Sequence, residues 1–593
     1  MLLTRYIRLV AAVVLFVFIV CPTSSSFAQG SPGYKRLAVI PFKNLTGDLD
    51  KNWLGEGIAD TLSTELGTIQ SLILVERIQL AKIMDELRLS QTGFVDESTA
   101  VQVGKLVAAK YLLIGSYQMG GAEILINARL VEVESGKIKE TARVRGKFDN
   151  IFDLQDDIAA RVLTWVNTTA GPTEIQRMKA APDRNIDVFE YLSRARTEFF
   201  AGRTDKAEEW VKKTLAANPE NPAAVMMMGR IQERRGKHRE ALTSYNKAAG
   251  IYKGKKDENN YAWALNNIGM VYDSRGAYDD ALKFYNRSLD ISKRIGDEPS
   301  IAMTLNNIGV VYWSRGRYDE ALKYFHPSLD ISRRINDDYG VETALMNIGM
   351  VYNSQGRFDE ALRYYKQSLE INRRIGDEAG LSLVLGNIGN VYDSQGRFNE
   401  ALDYYNRSLE ISRRIGDEPT VAKTLMSIGT IYAKQGRFDR ALEYFKQSLG
   451  IAKRIGEEPT VATTLNNMGM VNYSQGRYDE ALKFFNQSLE ISRRIGDEPG
   501  ISRTFNNMGM LFDEWGRYGE ALKYYNQSLE ISRRIGDEPG IARTLSNIGI
   551  SYAQMGKYFE ARRAWAEAIT YYERMGDRAS AGELRNEMNK LPR

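Results

Sequence analysis

Length, composition and charge exclude several classes of protein. The chain has 593 residues, too many for one hydrophobic core, so it forms about three to five domains or a repeat array. With 43% hydrophobic and 10% aromatic residues it is not globally disordered. Its 80 lysines and arginines nearly balance 75 aspartates and glutamates, so charge does not indicate a nucleic-acid-binding protein. Two histidines and one cysteine leave few ligands for zinc, haem or iron–sulfur sites, and we expect no metal and no cofactor.

Residues 1–28 are predicted to be a secretory signal peptide. Two arginines precede an apolar run, residues 9–20, which is too short to span a bilayer. Ser26 and Ala28 supply the small side chains that favour cleavage before Gln29. A lipoprotein signal would instead make Cys21 the first mature residue, an alternative disfavoured because Val20 stands where such signals have a small residue. We expect an exported protein, periplasmic or envelope-associated, with secretion as an alternative and no transmembrane segment in the mature chain.

Residues 35–168 are predicted to form an α/β domain. The apolar residues of its first helix recur every four positions, and glycine-containing dipeptides typical of hairpins separate its last three strands. This order of elements predicts a mixed sheet with helices packed on it. The predicted strands are 35–42, 72–75, 111–119, 123–134 and 137–148, and the predicted helices are 53–66, 78–89, 99–108 and 152–166.

The α/β region resembles a family of envelope domains. The segments LAVIPFKNLTGD, WLGEGIADTL, VGKLVAAKYLLIGSY, INARLVEVESGKI and DNIFDLQDDIA occur in the order found in the TolB amino-terminal-like domain. That domain is similar to the FlgO-like and curli-secretion (CsgG-like) domains. The resemblance implies an envelope-associated accessory domain and leaves an outer-membrane secretion or assembly component as the alternative function.

Motifs that could indicate an enzyme are weak in this region. The segment Gly55-Glu56-Gly57 has Asp60 where a dinucleotide-binding loop has its third glycine, so we assign these glycines to helix packing. No nucleophile–base set or phosphate-binding loop accompanies them. An enzyme acting on a nucleotide or a metabolite is therefore the least favoured hypothesis, and no catalytic residue is predicted.

Internal repetition dominates the rest of the chain. From residue 261 to residue 580 the sequence repeats every 40 residues without insertion or deletion, and weaker copies precede this stretch. We predict ten repeats over residues 187–580, a linker at 169–186 and a C-terminal capping segment at 581–593.

Each repeat is predicted to be a pair of antiparallel helices. In one copy, Gly316 separates two stripes of apolar residues at helical spacing. A small residue in each helix, Gly309 and Ala321, allows the two helices to approach closely, and a tyrosine follows three positions after that glycine. This pattern resembles the tetratricopeptide repeat, in the 40-residue form of the kinesin light chain and Pins families. The resemblance implies an all-α solenoid with a right-handed superhelix, following the α/β domain.

Comparison of the copies separates packing residues from candidate binding residues. The recurring acidic pairs, such as Asp297-Glu298, fall at helix starts in every copy and are assigned to capping. The recurring aromatic pairs, such as Tyr324-Phe325, are assigned to the core. The recurring basic pairs, such as Arg333-Arg334, are assigned to solvent, close in sequence to compensating acids.

An asparagine series is the predicted binding site. In the related kinesin light chain and Pins-type repeats, the first helix lines the concave surface and the matching asparagine contacts the backbone of a bound peptide. A carboxamide suits this role because it both donates and accepts hydrogen bonds. The predicted peptide-binding residues are Asn267, Asn307, Asn347, Asn387, Asn467, Asn507 and Asn547. Variable neighbours would select the ligand: Trp263, Met270, Trp313, Met350, Asn390, Lys423, Met470, Arg503 and Arg543. The alternative is that the asparagines only bond between helices.

These observations predict a non-enzymatic, exported interaction scaffold. Its groove would bind an extended peptide or a partner protein, and its α/β domain would connect it to an envelope assembly. No nucleic-acid partner is expected.

Overall fold

The computed structural model describes residues 35–67, 69, 72–75, 80, 97–107, 109–168, 170–171, 175 and 184–592. The predicted signal peptide, most of the predicted helix at 78–89 and most of the predicted linker lie outside the described residues.

The α/β domain is built on a mixed sheet, as predicted, but the sheet has six strands and not the five expected. The strand order is β3-β1-β4-β5-β6, and the short β2 also pairs with β4. β1 runs parallel to β3 and β4, whereas β4, β5 and β6 form antiparallel hairpins. The strands are β1 Lys35–Val39, β2 Lys43–Asn44, β3 Leu72–Leu74, β4 Tyr111–Gly120, β5 Glu123–Glu132 and β6 Lys137–Lys147. The helices are α1 Trp53–Leu66, α2 Glu97–Leu106 and α3 Ile151–Trp165, with 3-10 turns at Leu49–Lys51 and Phe148–Asn150.

Successive side chains along a strand point to opposite faces of the sheet, and both faces of this sheet are apolar. In β1, Leu37 and Val39 point to the face covered by α1 and α3. Ala38 and Ile40 point to the opposite face, where Val103 of α2 packs. Both faces are buried because β1 is a central strand between two parallel neighbours.

The rest of the described chain is an array of antiparallel helix pairs, as the repeat pattern predicted. Repeats 1 to 5 consist of α4 Ile186–Phe200 and α5 Thr204–Ala217, α6 Pro222–Arg234 and α7 His238–Gly254, α8 Glu258–Ser274 and α9 Tyr278–Ile295, α10 Glu298–Ser314 and α11 Tyr318–Arg334, α12 Asp338–Ser354 and α13 Phe358–Ile375. Repeats 6 to 10 consist of α14 Glu378–Ser394 and α15 Phe398–Ile415, α16 Glu418–Lys434 and α17 Phe438–Ile455, α18 Glu458–Ser474 and α19 Tyr478–Ile495, α20 Glu498–Glu514 and α21 Tyr518–Ile535, α22 Glu538–Gln554 and α23 Tyr558–Arg574. A last helix, α24 Arg578–Lys590, packs on α23.

The recurring glycine of each first helix makes room for an aromatic ring of the second helix. A Cβ added at Gly309 would lie 2.6 Å from the ring of Phe325, which is 1% exposed. The same relation holds for Gly389 and Tyr405. Only glycine permits this approach, and stacking of successive pairs then supplies the core that one pair lacks.

The connections between repeats confirm the capping prediction and the solvent exposure of the basic pairs, but a compensating acid lies far away in the sequence. Asp297 accepts a hydrogen bond from the backbone N–H of Ser300 at the start of α10, as an N-cap does. Arg334 donates to Glu298 at 3.0 Å, 36 residues away and not close in sequence. The equivalent pair joins the two ends of each repeat from repeat 3 to repeat 10.

Successive turns of the superhelix touch each other. We call the row of turns between the two helices of each repeat the turn edge, and the row of connections between repeats the connection edge. A Cβ added at Gly276, on the turn edge of repeat 3, would lie 3.0 Å from Pro499 on the connection edge of repeat 9. Gly316 of repeat 4 faces Pro539 before repeat 10 in the same way, at 2.7 Å. Six repeats therefore complete one turn of the superhelix.

The α/β domain packs against the array at two places. Phe189 of α4 belongs to the core of the α/β domain, and Arg196 of the same helix pairs with Asp60 of α1. On the other face of the sheet, Tyr339 at the start of repeat 5 packs against the cluster that contains Ala38 and Ile40. Among the described residues, no helix is both long enough and apolar enough to cross a membrane.

Candidate functional site

The inner face of the superhelix is formed by the first helix of each repeat. Successive first helices, such as α10 and α12, approach each other more closely than successive second helices do. The predicted asparagines lie on this layer and are buried, apart from the half-buried Asn547.

Four of the seven predicted asparagines form hydrogen bonds between successive repeats. Each donates from its amide nitrogen to the carbonyl oxygen of another asparagine in the preceding repeat. The pairs are Asn307 with Asn266 at 3.1 Å, Asn347 with Asn306 at 2.8 Å, Asn507 with Asn466 at 3.0 Å, and Asn547 with Asn506 at 3.1 Å. Much of the hydrogen-bonding capacity of these four side chains is therefore used inside the array.

The other three asparagines lack this bond. Asn267 donates to the carbonyl of Trp263 at 2.8 Å within its own helix. The nitrogen of Asn387 lies 3.7 Å from the sulfur of Met346, because the preceding repeat has no asparagine to receive it. Asn467 keeps a buried side-chain oxygen without a hydrogen-bond partner among the described residues. Contact of these asparagines with a peptide stays a prediction.

A second asparagine series, which the sequence reasoning missed, lies one position earlier. Asn266, Asn306, Asn466 and Asn506 accept the bonds described above with their carbonyl oxygens. Among the described residues, the amide nitrogens of Asn306 and Asn466 have no hydrogen-bond partner, although both are buried. The nitrogens of Asn266 and Asn506 meet only methionine sulfur, at 3.7 Å. The sequence signal for this second series is the Asn-Asn dipeptide, which occurs in four copies of the repeat. The binding prediction used only the second asparagine of each dipeptide.

Two arginines stand next to this series in repeats 9 and 10. Arg503 approaches Thr463 at 3.4 Å, and its Nε has no hydrogen-bond partner among the described residues. Burial lowers the pKa of Arg503, whereas the charge of Asp497 opposes this shift and the charge of Arg543 adds to it. Within the described part of the chain, Arg543 makes no hydrogen bond and no ion pair. Arg503 and Arg543 thus place two positive charges on neighbouring first helices, with Asp497 and Asp537 near Arg503.

The remaining variable positions are mostly packed or paired. Lys423 lies 3.6 Å from Glu457, and the indole of Trp313 donates to Ser354 at 3.0 Å. Met350 and Met470 are buried in core clusters of the array, so they pack within it.

The glycines in α1 serve packing, as the sequence reasoning assigned them. A Cβ at Gly55 would collide with the carbonyl oxygen of Phe42, which belongs to the end of the first strand region. A Cβ at Gly57 would lie 2.5 Å from the hydroxyl of Ser193 in α4. The space beside both glycines is therefore filled by neighbouring parts of the protein.

One family model matches the N-terminal region, and one curated relative matches about a third of the chain. Residues 24–119 match the model of the family described as Curli production assembly/transport component CsgG. A protein named "Putative adenylate cyclase 3" from Rhizobium meliloti (strain 1021) is 23% identical over 199 residues. That match covers 32% of this chain and 32% of the relative's own length, so it concerns about a third of each protein.

Among solved structures, several proteins resemble parts of the chain at low TM-scores. BtubC (BKLC) from P. vanneervenii is 23% identical, with a TM-score of 0.31, and covers 36% of this chain and 91% of its own. A Rap protein complexed with competence and sporulation factor is 16% identical, with a TM-score of 0.42, and covers 60% of this chain and 99% of its own. These scores support no argument about function.

The repeat array has the strongest match. The tetratricopeptide repeat family model matches residues 222–294, 300–374, 380–454, 460–534 and 514–574, which together make up more than half of the chain. Its matches follow the helix pairs of repeats 2 to 10. The chain therefore belongs to the tetratricopeptide repeat family.

Proposed function

We propose that the protein is a non-enzymatic interaction scaffold that binds an extended peptide or a segment of a partner protein on the inner face of the superhelix. The observation that carries this proposal is the pair of partly exposed arginines, Arg503 and Arg543, on the first-helix layer of repeats 9 and 10. Arg543 makes no hydrogen bond and no ion pair within the described part of the chain. A carboxylate of a bound peptide would supply an acceptor for these two side chains.

The predicted asparagine series takes a supporting part in this proposal. Asn307, Asn347, Asn507 and Asn547 orient the neighbouring carboxamides, because each fixes the carbonyl end of its partner. The partner's amide nitrogen is then directed away from that bond. Asn267, Asn387 and Asn467, which lack the inter-repeat bond, remain proposed peptide contacts in their own right.

Export and an envelope role form a second part of the proposal. The similarity of residues 24–119 to the CsgG family supports an envelope-associated accessory domain, and it keeps a secretion or assembly component as the alternative. We expect N-terminal sequencing of the protein from the cell envelope to begin at Gln29. A mature chain that begins at a lipid-modified Cys21 would contradict this cleavage site.

Peptide selection from an unbiased random library tests the binding proposal. The full chain is the target, and calorimetry measures the selected peptides against the wild type and the double variant Arg503→Gln/Arg543→Gln. Because a hydrogen bond to a charged group contributes about 1.5–3 kcal/mol, the variant should bind at least roughly tenfold more weakly. The control variant Lys483→Gln/Lys523→Gln removes two exposed charges from second helices and should bind like the wild type. Failure to select any peptide, or equal loss in both variants, would overturn the proposal.

A further inference from the structure

The two turns of the superhelix meet at two pairs of repeats. The turn edges of repeats 3 and 4 lie against the connection edges of repeats 9 and 10. Within the described array, the edge glycines that meet the opposite edge are Gly276, Gly316, Gly496 and Gly536. One step earlier in the stack, nothing lies within 4 Å of a Cβ added at Gly236 in repeat 2. The contact between the turns is therefore local and involves a small part of each edge.

Two arginines take part in this contact. A Cβ added at Gly496 would lie 3.6 Å from Arg275, and one added at Gly536 would lie 2.7 Å from Arg315. Each guanidinium thus stands at the carboxyl end of a helix, where the helix dipole favours a positive charge. Repeats 5 to 8, whose turn edges are open, have glutamine at this position. Arg235 of repeat 2 instead pairs with acidic side chains of repeat 1. The arginines of repeats 3 and 4 are therefore matched to the contact between turns.

Apolar side chains complete the same contact. Ile535, at the end of repeat 9, is buried in the cluster that contains Tyr278 and Ile308 of repeats 3 and 4. The sulfur of Met575 would lie 3.0 Å from a Cβ added at Gly316. Among the described residues, no backbone hydrogen bond joins the two turns. The turns can therefore separate without the unfolding of a helix.

The curvature that brings the turns together also buries the amides of the inner face. Asn387 is 0% exposed and Asn467 is 3% exposed, although both are proposed peptide contacts. The bond from Asn347 to Asn306 likewise requires that two successive first helices lie close together. The curvature of a solenoid is the sum of small rotations between repeats. Straightening the superhelix would move the first helices apart and end the contact between turns, because six repeats would no longer complete one turn.

We propose that the contact of repeats 3 and 4 with repeats 9 and 10 is a clasp that holds the superhelix closed, and that a peptide reaches the buried amides of the inner face only when this clasp opens. The inference rests on the proposed function, since it concerns access to the same inner face. A closed form that excludes the ligand lowers the apparent affinity in proportion to the fraction of open molecules. Arg275 and Arg315 set that fraction, because they join the two edges.

A disulfide between the turns, in the variant Gly276→Cys/Glu498→Cys, tests the clasp directly. A Cβ added at Gly276 lies 3.8 Å from that of Glu498, which is the usual separation in a disulfide. The pair is introduced into the full chain with Cys21→Ser, and peptides are selected from the random library against the reduced form. Calorimetry should show that the oxidised form binds these peptides at least roughly tenfold more weakly than the reduced form. Both forms carry the same substitutions, so any strain of cysteine at a positive φ is present in each.

The variant Arg275→Gln/Arg315→Gln places the residue of repeats 5 to 8 at both positions and should release the clasp. It should bind the selected peptides at least roughly tenfold more tightly than the wild type, because more molecules are open. Its radius of gyration in X-ray scattering should be larger. The control variant Gln395→Ala/Gln435→Ala changes the same position in repeats 6 and 7, where nothing lies within 4 Å of the following glycine's added Cβ. It should match the wild type in both measurements.

Three outcomes would overturn the clasp and leave the proposed function standing. They are equal binding by the oxidised and reduced forms, failure of the two cysteines to form a disulfide, and an arginine variant with the affinity and radius of gyration of the wild type. Failure to select a peptide against the reduced form, the wild type and the arginine variant would contradict the proposed function itself, and this inference with it.

Discussion

At the scale of single residues, the asparagine pairs show how a helical layer accommodates buried amides. Asn347 and Asn306 lie on neighbouring first helices, and the bond of 2.8 Å between them is buried. Such a bond adds only about 1 kcal/mol net, but removing one member leaves the other without a partner. The pairs therefore hold successive repeats in register while leaving one amide nitrogen of the acceptor free.

Asn347→Ala should lower the free energy of unfolding by about 1–3 kcal/mol, because the oxygen of Asn306 would remain buried without a donor. Urea denaturation followed by circular dichroism measures the change. Asn486→Ala is the matched control, since Asn486 is exposed on a second helix and its loss should change stability by less than about 0.5 kcal/mol. Equal effects of the two substitutions would contradict the structural role of the inter-repeat bond.

A buried glutamate makes the α/β domain sensitive to pH. Burial raises the pKa of Glu65 to about 9, and the charge of Asp156 acts in the same direction. The folded domain therefore keeps a proton that the unfolded chain releases near pH 4.5, so stability falls as the pH rises from about 4.5 towards 9.

Glu65→Gln should remove this pH dependence, because a carboxamide has no proton to lose. We expect a gain on the order of 1–3 kcal/mol at pH 8 and little change at pH 4.5. Thermal unfolding of the α/β domain at the two pH values measures the difference. The same gain at both values would contradict the assignment of a neutral Glu65.

At the scale of helices and strands, much of the architecture could be predicted from the sequence. The 40-residue period and the glycine–aromatic spacing are local patterns, and they specify a helix pair in each copy. The strands and helices of the α/β domain follow from apolar periodicity in the same way. The pair β2 with β4 was missed because Lys43–Asn44 is too short to show a period.

The contacts of the candidate binding site were less predictable from the sequence than the helices and strands. Spacing identified the layer that carries Asn307 and Asn347, but it could not show that each donates a hydrogen bond to an asparagine of the preceding repeat. That contact depends on the rotation between successive repeats, a tertiary property. The amide nitrogens of Asn306 and Asn466 without a hydrogen-bond partner among the described residues could be identified only from the three-dimensional structure.

Two glycines within helices should respond in opposite ways to replacement by alanine. Gly389→Ala should destabilise the array by about 1–3 kcal/mol, because the new Cβ would lie 2.7 Å from the ring of Tyr405. Gly450→Ala should stabilise it by about 0.5–1 kcal/mol, because nothing lies within 4 Å and alanine favours the helix. Urea denaturation of both variants measures the contrast. Changes of the same sign would contradict the packing role of Gly389.

At the scale of the whole molecule, the connection before repeat 5 joins the two domains. Its sequence departs from the usual Gly-Asp-Glu-Pro, with Asn336 in a left-handed conformation at φ 51° and Tyr339 against the sheet. Arg36 of β1 is fully buried beside Asp337, at 3.9 Å, and burial lowers its pKa to about 10. No local pattern predicts this contact, because it joins segments about 300 residues apart.

Asn336→Gly/Tyr339→Pro would change the connection to Gly-Asp-Asp-Pro, close to the usual sequence, and should loosen the α/β domain from the array. Hydrogen exchange of β1 and β3 should become at least several-fold faster, because Tyr339 no longer covers that face of the sheet. The amides of repeats 7 to 10 provide the internal control and should exchange as in the wild type. Unchanged exchange in β1 would show that the contact adds nothing to the stability of the domain.

The central claim, that an extended peptide lies on the inner face of the superhelix, is tested most directly by photo-crosslinking. A crosslinker is placed at Met303 or Thr343 on first helices, or at Lys323 or Glu443 on exposed parts of second helices. Each full-length variant is then irradiated with a peptide selected from the random library. The account predicts crosslinks from positions 303 and 343 and none from positions 323 and 443. Crosslinks from the second helices alone would contradict it.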